Sequence, residues 1–357
     1  MVLRVVHIQA EGSSAPSNRQ NGGMPKHHVG ITFGDFAGQW LDRSIAAGLR
    51  CGSGYRSILS EYLIPAFGGL DLGAVTRQEY RSWLARLRQS VTRRNTRIAP
   101  RTVLNINRLL GTVFAAAVDD DLLEVSPIRP GRRDLPPQRD ADPAWRSGSR
   151  FTRAEIASLI RDPRIPEMHR ITIALAFFLG GRVSEVSALF WCRWDPEWSA
   201  PLGRLVVTHG YSTTDRVLRE TKTGVAREEP VHPILEALLR DWYLDGWVRA
   251  HGRKPLPGDL IVAGSVRGGV VRPLRNDRAI RWLHASCDQL GIRRRGMHAL
   301  RASFITLAQE GGANSEIIKH LSHPSPRDVF SGYSRFSWAA RCEAVLKIDL
   351  PMPESYD

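Results

Sequence analysis

Hydrophobic residues recur at helical spacing through most of this chain and give way to alternation in only one region. Thr32 can cap a helix in which Phe33, Phe36, Trp40 and Leu41 share one face. A second helix is predicted from about Ser53 to Ile64, ended by Pro65. Phe67 to Val75 reads as a glycine-punctuated turn. Thr76 and Glu79 then have capping-box spacing ahead of Tyr80, Trp83, Leu84 and Leu87, a third helix. After the basic turn Thr92 to Arg97, a fourth helix from about Pro100 to Asp119 carries Val103, Ile106, Leu110, Val113 and Phe114 inward.

These elements set a domain plan. Residues 1–30 start with the short apolar piece MVLRVVHI and pass into a Ser, Asn, Gly and Pro-rich stretch, so they are expected to form a flexible segment. Residues 31–126 form the four-helix domain. Residues 127–150, with five prolines, read as an extended linker. Residues 151–357 form a second domain, opened by the capping pair Thr152 and Glu155. Helices are predicted there at about 152–161 and 167–180, with another starting near Arg182. The alternating stretches Gly203 to Gly210, Arg216 to Thr221 and Ala226 to Val231 predict a small antiparallel sheet. Helices resume at about 233–250 and 275–290, and the remainder is helical apart from loops near Arg293, Gly311 and Pro324. The fold class is therefore mainly α with a small antiparallel β-sheet.

Charge changes the picture. Lys and Arg number 50 against 36 Asp and Glu, a formal net charge of +14, which points to a polyanionic partner such as nucleic acid. In the first domain Arg56, Arg77, Arg93, Arg94, Arg101 and Arg108 are candidate DNA contacts, although a solvated helix face has the same pattern. The four cysteines are scattered without a CxxC pair, so neither a zinc knuckle nor a disulfide framework is indicated. The longest apolar run, Ile171 to Gly180, is too short to span a bilayer, and no secretion signal is read at the N-terminus. A cytoplasmic protein is expected. With no glycine-rich phosphate loop and no carboxylate cluster of two-metal type, neither a nucleotide cofactor nor a metal is expected.

Candidate chemistry lies in the second domain. Arg182 follows two glycines at a helix start, and Glu185, nearly one turn on, can hold its guanidinium. Lys222 sits at a tight Thr-Gly turn between strands. His298 and Arg301 share one side of a helix, a phosphate-binding pair with a proton to trade. His323 follows a further helix, and Tyr333 lies ten residues beyond it. A tyrosine hydroxyl is a poor nucleophile at neutral pH unless its proton is removed and the phosphate it attacks is neutralised. Two arginines, a lysine and two histidines would meet both needs.

In this order and spacing, GGRVSEVSALFW, ETKTGVAREEPV, HALR, LSHPS and GYSRF resemble the active-site motifs of the tyrosine recombinases, or phage integrases. The likeness covers roughly residues 31–348, because the helical segment also resembles that family's core-binding (SAM-like) domain. It departs from the pattern at Ala299, where an acidic residue is frequent, at Ser322 in place of glycine, and at Arg335 in place of histidine. The His323 to Tyr333 interval is one residue longer than in many members.

The resemblance implies a site-specific recombinase that cuts and rejoins DNA through a 3′-phosphotyrosine on Tyr333, without ATP. It casts Arg182 and Arg301 as phosphate clamps, His323 as a further donor, Lys222 as general acid, His298 as proton acceptor and Glu185 as their organiser. The implied partners are double-stranded DNA at specific sites, a homotetramer on that DNA, and accessory DNA-bending proteins. The family's two domains would clamp duplex DNA. Trp338, Ala339, Cys342, Val345 and Leu346 form an apolar helical face that packs either on its own domain or, as in the family, on a neighbouring protomer. Two other functions stay open: DNA relaxation of the type IB topoisomerase kind, and DNA binding without catalysis.

Overall fold

The computed structural model describes residues 30–92, 95–131, 133–137, 148–221, 224, 226–322 and 336–351. The chain divides into two compact units, Met1–Ala141 and Asp142–Asp357.

In the first unit, helices α1 (Phe33–Ala46), α2 (Gly52–Ile58), α3 (Ile64–Phe67), α4 (Arg77–Gln89) and α5 (Pro100–Asp119) enclose one core. Thr32 caps α1 through the Asp35 N–H, and Thr76 with Glu79 makes the full capping box of α4. Pro65 does not end the second helix. A π turn at Leu59–Leu63 joins α2 to α3, the Ile64 N–H donating to Leu59 O, so proline falls in the first turn of α3, where its missing N–H loses nothing. Phe33 lies at the centre, stacked on Phe114 at 5.5 Å and edge-on to Phe67 at 5.9 Å. The buried Tyr80 hydroxyl donates to Asn107 Oδ1 at 2.6 Å, tying α4 to α5. The first part of the proline-rich stretch folds back on this unit: Ile128 and Leu135 join the core, and Arg81 pairs with Asp134.

The second unit is built around α7 (Glu167–Phe178), whose residues from Ile171 to Phe178 are buried on every face, as expected of a helix apolar all round. Around it lie α6 (Arg153–Arg161), the four-residue α8 (Val183–Val186), α9 (Pro233–Asp241), α10 (Trp247–His251), α11 (Asn276–Gln289), α12 (His298–Glu310), α13 (Ser315–Ser322) and α14 (Trp338–Leu346). A π turn at Trp242–Gly246 joins α9 to α10, making one long helix of the predicted 233–250 span.

The strands are more numerous than predicted. β1 (Trp194–Ser199), β2 (Leu202–Val207) and β5 (Arg227–Pro230) form an antiparallel sheet in the order β1-β2-β5. β3 (His209–Ser212) pairs with β4 (Val217–Glu220), and β6 (Ala263–Arg267) with β7 (Val270–Pro273). The predicted Gly203 to Gly210 strand is thus split at Thr208 between two sheets. β1 escaped the sequence because a proline interrupts WDPEWS, and β6 and β7 because they are short and lie among Gly264, Gly268 and Gly269.

Helix α14 packs on its own unit. Arg341 donates to Glu228 O of β5 at 3.3 Å, and Trp338 Nε1 to Ser199 O at 3.2 Å. The buried positions are Cys342, Ala344 and Val345, continued by Ile348 and Leu350, whereas Ala339 and Leu346 of the predicted stripe face outward. His232 Nε2 donates to Ile348 O at 3.0 Å, and Arg153 to Asp349 O at 2.8 Å, securing the segment after α14. No helix of the described residues is long and apolar enough to cross a membrane.

Removing the Phe114 ring from the centre of the first core leaves a cavity. Phe114→Ala is expected to destabilise that unit by about 3–5 kcal/mol, seen as an earlier transition in urea unfolding followed by tryptophan fluorescence.

Candidate active site

The turn after α7 brings the first group into place. Gly180 has φ +51°, and a Cβ there would stand 2.6 Å from the Phe304 ring, so only glycine lets the chain turn against α12. Its carbonyl accepts from Arg301 Nη1 at 2.9 Å. The chain then enters α8, and Glu185 turns back on Arg182: Oε2 accepts the Arg182 backbone N–H at 2.9 Å and Oε1 accepts Nη1 at 3.0 Å. The predicted contact between Arg182 and Glu185 is therefore present, with Glu185 buried and the Arg182 side chain 38% exposed.

Arg301 comes from the first turn of α12 and is 1% exposed. Its Nε and Nη2 have no partner among the described residues. Burial, aided by the charge of Arg182, lowers its pKa to about 10, so the guanidinium stays cationic at neutral pH. Unmatched buried donors of this kind are costly, and an anion would satisfy them. His298 opens the same helix with an exposed ring. Partial desolvation, then the nearby charges of Arg301 and Arg182, push its pKa below the ordinary histidine value, which favours the neutral, proton-accepting form. Arg182, His298 and Arg301, predicted together, are thus grouped within one electrostatic neighbourhood.

Sequence reasoning missed two residues. On β5, Arg227 donates through Nη2 to Glu185 Oε2 at 2.9 Å and through Nε to Glu229 Oε1 at 2.5 Å, and both residues are buried. The signal was available in AREEPV: charged residues two apart on a strand face one side, and here that side is the interior. Burial opposes the charge on Glu185, but Arg227 and Arg182 outweigh it and hold the pKa at about 2. For Glu229 burial wins over Arg227, and its pKa rises to about 7.

Lys222, His323 and Tyr333 lie outside the described residues, as do Arg93 and Arg94. Beside Lys222, Gly224 N–H donates to Thr221 O at 2.8 Å with φ +70°, a turn conformation that suits glycine. Beside His323, Ser322 ends α13 fully buried, its hydroxyl bonded to Ile318 O at 2.6 Å, and Ala299 is buried in the core, where an acid would need a partner. Arg56, Arg77, Arg101 and Arg108 of the first unit are all exposed.

The sequence matches no protein-family model and no curated protein. Solved structures do match. The Tn1549 transposon integrase in complex with a circular intermediate DNA superimposes with TM-score 0.59 at 15% identity, over 87% of this chain and 97% of that one. The lambda integrase tetramer bound to a Holliday junction gives 0.57 at 17%, over 84% and 79%. A lambda integrase dimer bound to a core site gives 0.55 at 15%, over 85% and 77%.

This is the tyrosine recombinase, or integrase, fold. It spans both units of the chain, the helical first unit and the mixed second one. Within the integrase fold, the second unit holds the part-exposed Arg182 bonded to the buried Glu185 and Arg227, with the buried Arg301 nearby.

Arg227→Ala would strand two buried carboxylates and is expected to cost about 3–5 kcal/mol of stability. Arg182→Ala removes a part-exposed side chain and leaves Glu185 bonded to Arg227, so it should cost about 1 kcal/mol or less. Urea titrations of the two variants check the contrast. Because the Glu185 pKa lies below its ordinary 4.5, its contribution is complete above that pH and is lost as the pH falls toward 2. Glu229, held near 7, has the opposite sign, its contribution fading as the pH rises through 7. Glu185→Gln should therefore flatten the acid limb of a stability-against-pH curve between about pH 5 and 2.

Proposed function

We propose that this protein is a site-specific DNA recombinase that breaks and rejoins strands through a covalent bond between Tyr333 and a DNA 3′-phosphate. The observation that carries the reading is Arg301: a buried guanidinium with donors unmatched among the described residues, beside Arg182 and His298, in an integrase fold. Such a site suits a phosphodiester whose non-bridging oxygens gain charge in the transition state.

In this reading the Tyr333 oxygen attacks the scissile phosphorus and the 5′-oxygen leaves as a hydroxyl, so the bond energy is kept in the phosphotyrosine. Arg182 and Arg301 clamp the non-bridging oxygens, and His323 donates a further hydrogen bond. Lys222 protonates the leaving oxygen, and His298 accepts a proton near Tyr333 or the phosphate. Glu185 holds Arg182 in place. Attack by the freed hydroxyl of a partner strand then reverses the chemistry. The net charge of +14 supports a duplex DNA partner, with Arg56, Arg77, Arg93, Arg94, Arg101 and Arg108 as first-unit phosphate contacts. Four copies on paired sites, with DNA-bending proteins where a site needs them, complete the assembly inside the cell.

A nicked duplex carrying the DNA sequence that the protein protects from nuclease digestion should become covalently attached to the wild type in a denaturing gel, and not to Tyr333→Phe. Arg301→Ala should slow adduct formation by about 10² to 10³. A wild-type protein that binds its site and leaves no adduct would overturn the enzymatic reading. Plasmid relaxation without exchange between two sites would replace recombination with topoisomerase activity.

A further inference from the structure

We propose that Arg227 and Glu229, on strand β5, are positioning residues for the cleavage step, setting the Glu185 carboxylate so that it aims Arg182 at the scissile phosphate. The inference rests on the reading of Arg182 as a phosphate clamp.

The terminal torsion of a glutamate is broad, so a lone carboxylate offers an arginine many geometries. Glu185 is not left that freedom. Its Oε2 is occupied by the Arg182 backbone N–H and by Arg227 Nη2, both at 2.9 Å, which leaves Oε1 for Arg182 Nη1 at 3.0 Å. Arg182 therefore meets the carboxylate through one nitrogen, and the remaining edge of its part-exposed guanidinium is left for a substrate.

Charge acts in the same direction. Glu185 is 4% exposed, and with Arg182 as its single cation it would draw that guanidinium into a closed pair and cancel its charge. Arg227 supplies a second cation to the same carboxylate. Glu229, 2% exposed, bonds Arg227 Nε and so fixes the plane of the fork whose Nη2 reaches Glu185. The row Arg182, Glu185, Arg227, Glu229 alternates basic and acidic side chains from the part-exposed clamp to the buried strand. On β5, Glu228 points away from this row to Arg204 of β2 at 2.7 Å, so the neighbouring residue on the same strand is a natural control.

The test is single-turnover adduct formation at saturating protein on a nicked duplex bearing the protected site. It compares wild type, Arg227→Lys, and the paired replacement Arg227→Met with Glu229→Gln, and repeats the paired replacement in an Arg182→Ala background. The paired replacement removes both charges together, so no newly stranded partner of Arg227 is left on β5, and circular dichroism verifies that it folds. Its cleavage rate should fall by about 10 to 100-fold, while duplex affinity, set by many other phosphates, stays within about threefold. Arg227→Lys, which restores the charge without the plane, should fall between. The loss should vanish in the Arg182→Ala background, a non-additivity that general loosening of the fold would not produce. An unchanged rate in the folded paired variant, or the same loss in the Arg182→Ala background, overturns the proposal.

If the wild type forms no adduct, the recombinase reading fails, and the positioning claim is decided by inorganic phosphate followed by ³¹P NMR. The paired replacement should then weaken phosphate binding about tenfold, within the range for residues that support a ligand-binding group, and only when Arg182 is present. Equal phosphate affinity in wild type and paired variant overturns it.

Discussion

One buried carboxylate organises the second unit's candidate site. Glu185 binds Arg182 through side chain and backbone and Arg227 through its guanidinium, with both oxygens engaged. A buried carboxylate with unmatched oxygens is severely unfavourable, so the elements carrying these cations are constrained to meet: the turn after α7, the short helix α8 and strand β5. Arg301, anchored to Gly180 O, brings α12 to the same place. Three segments distant in sequence, the α7–α8 connection with α8, strand β5 and α12, meet at these bonds.

The cost of that convergence explains local oddities. Gly180 adopts a positive φ against the Phe304 ring because a side chain there would separate α7 from α12. Helix α8 is only four residues long, too short to be stable alone, and is held by the Glu185 contacts and by Val186 in the core. Among the described residues, two donors of the buried Arg301 are unmatched, an arrangement that an anion would relieve. A site held ready for charge, rather than assembled around it, is the arrangement that preorganised electrostatic stabilisation requires.

Much of this is legible in the sequence. The capping boxes at Thr76 and Thr152, the buried face of α5 and the mostly apolar run Ile171 to Phe178 of α7 follow from local patterns that tertiary contacts reinforce. The contact of Arg182 with Glu185 was legible because three residues along a helix start is a local relation. Pro65 was misread because a π turn can absorb a proline, and the width of a helix turn is not written in composition. β1, β6 and β7 were missed because Pro196 and the glycines Gly264, Gly268 and Gly269 argue against strands whose formation rests on their pairing partners.

The sequence alone determined the kinds of group available and their order: a basic chain, a helical first unit, a mixed second unit, and Arg182, Lys222, His298, Arg301, His323 and Tyr333 in recombinase order. Only the tertiary structure decided that AREEPV turns Arg227 and Glu229 inward, with Arg227 bonded to both Glu229 and Glu185, that Arg301 is buried with donors unmatched among the described residues, and that α14 lies against its own β5. The reason is physical. Periodicity reports which face of an element is buried, whereas the partner of a buried charge depends on which distant element supplies the opposite one.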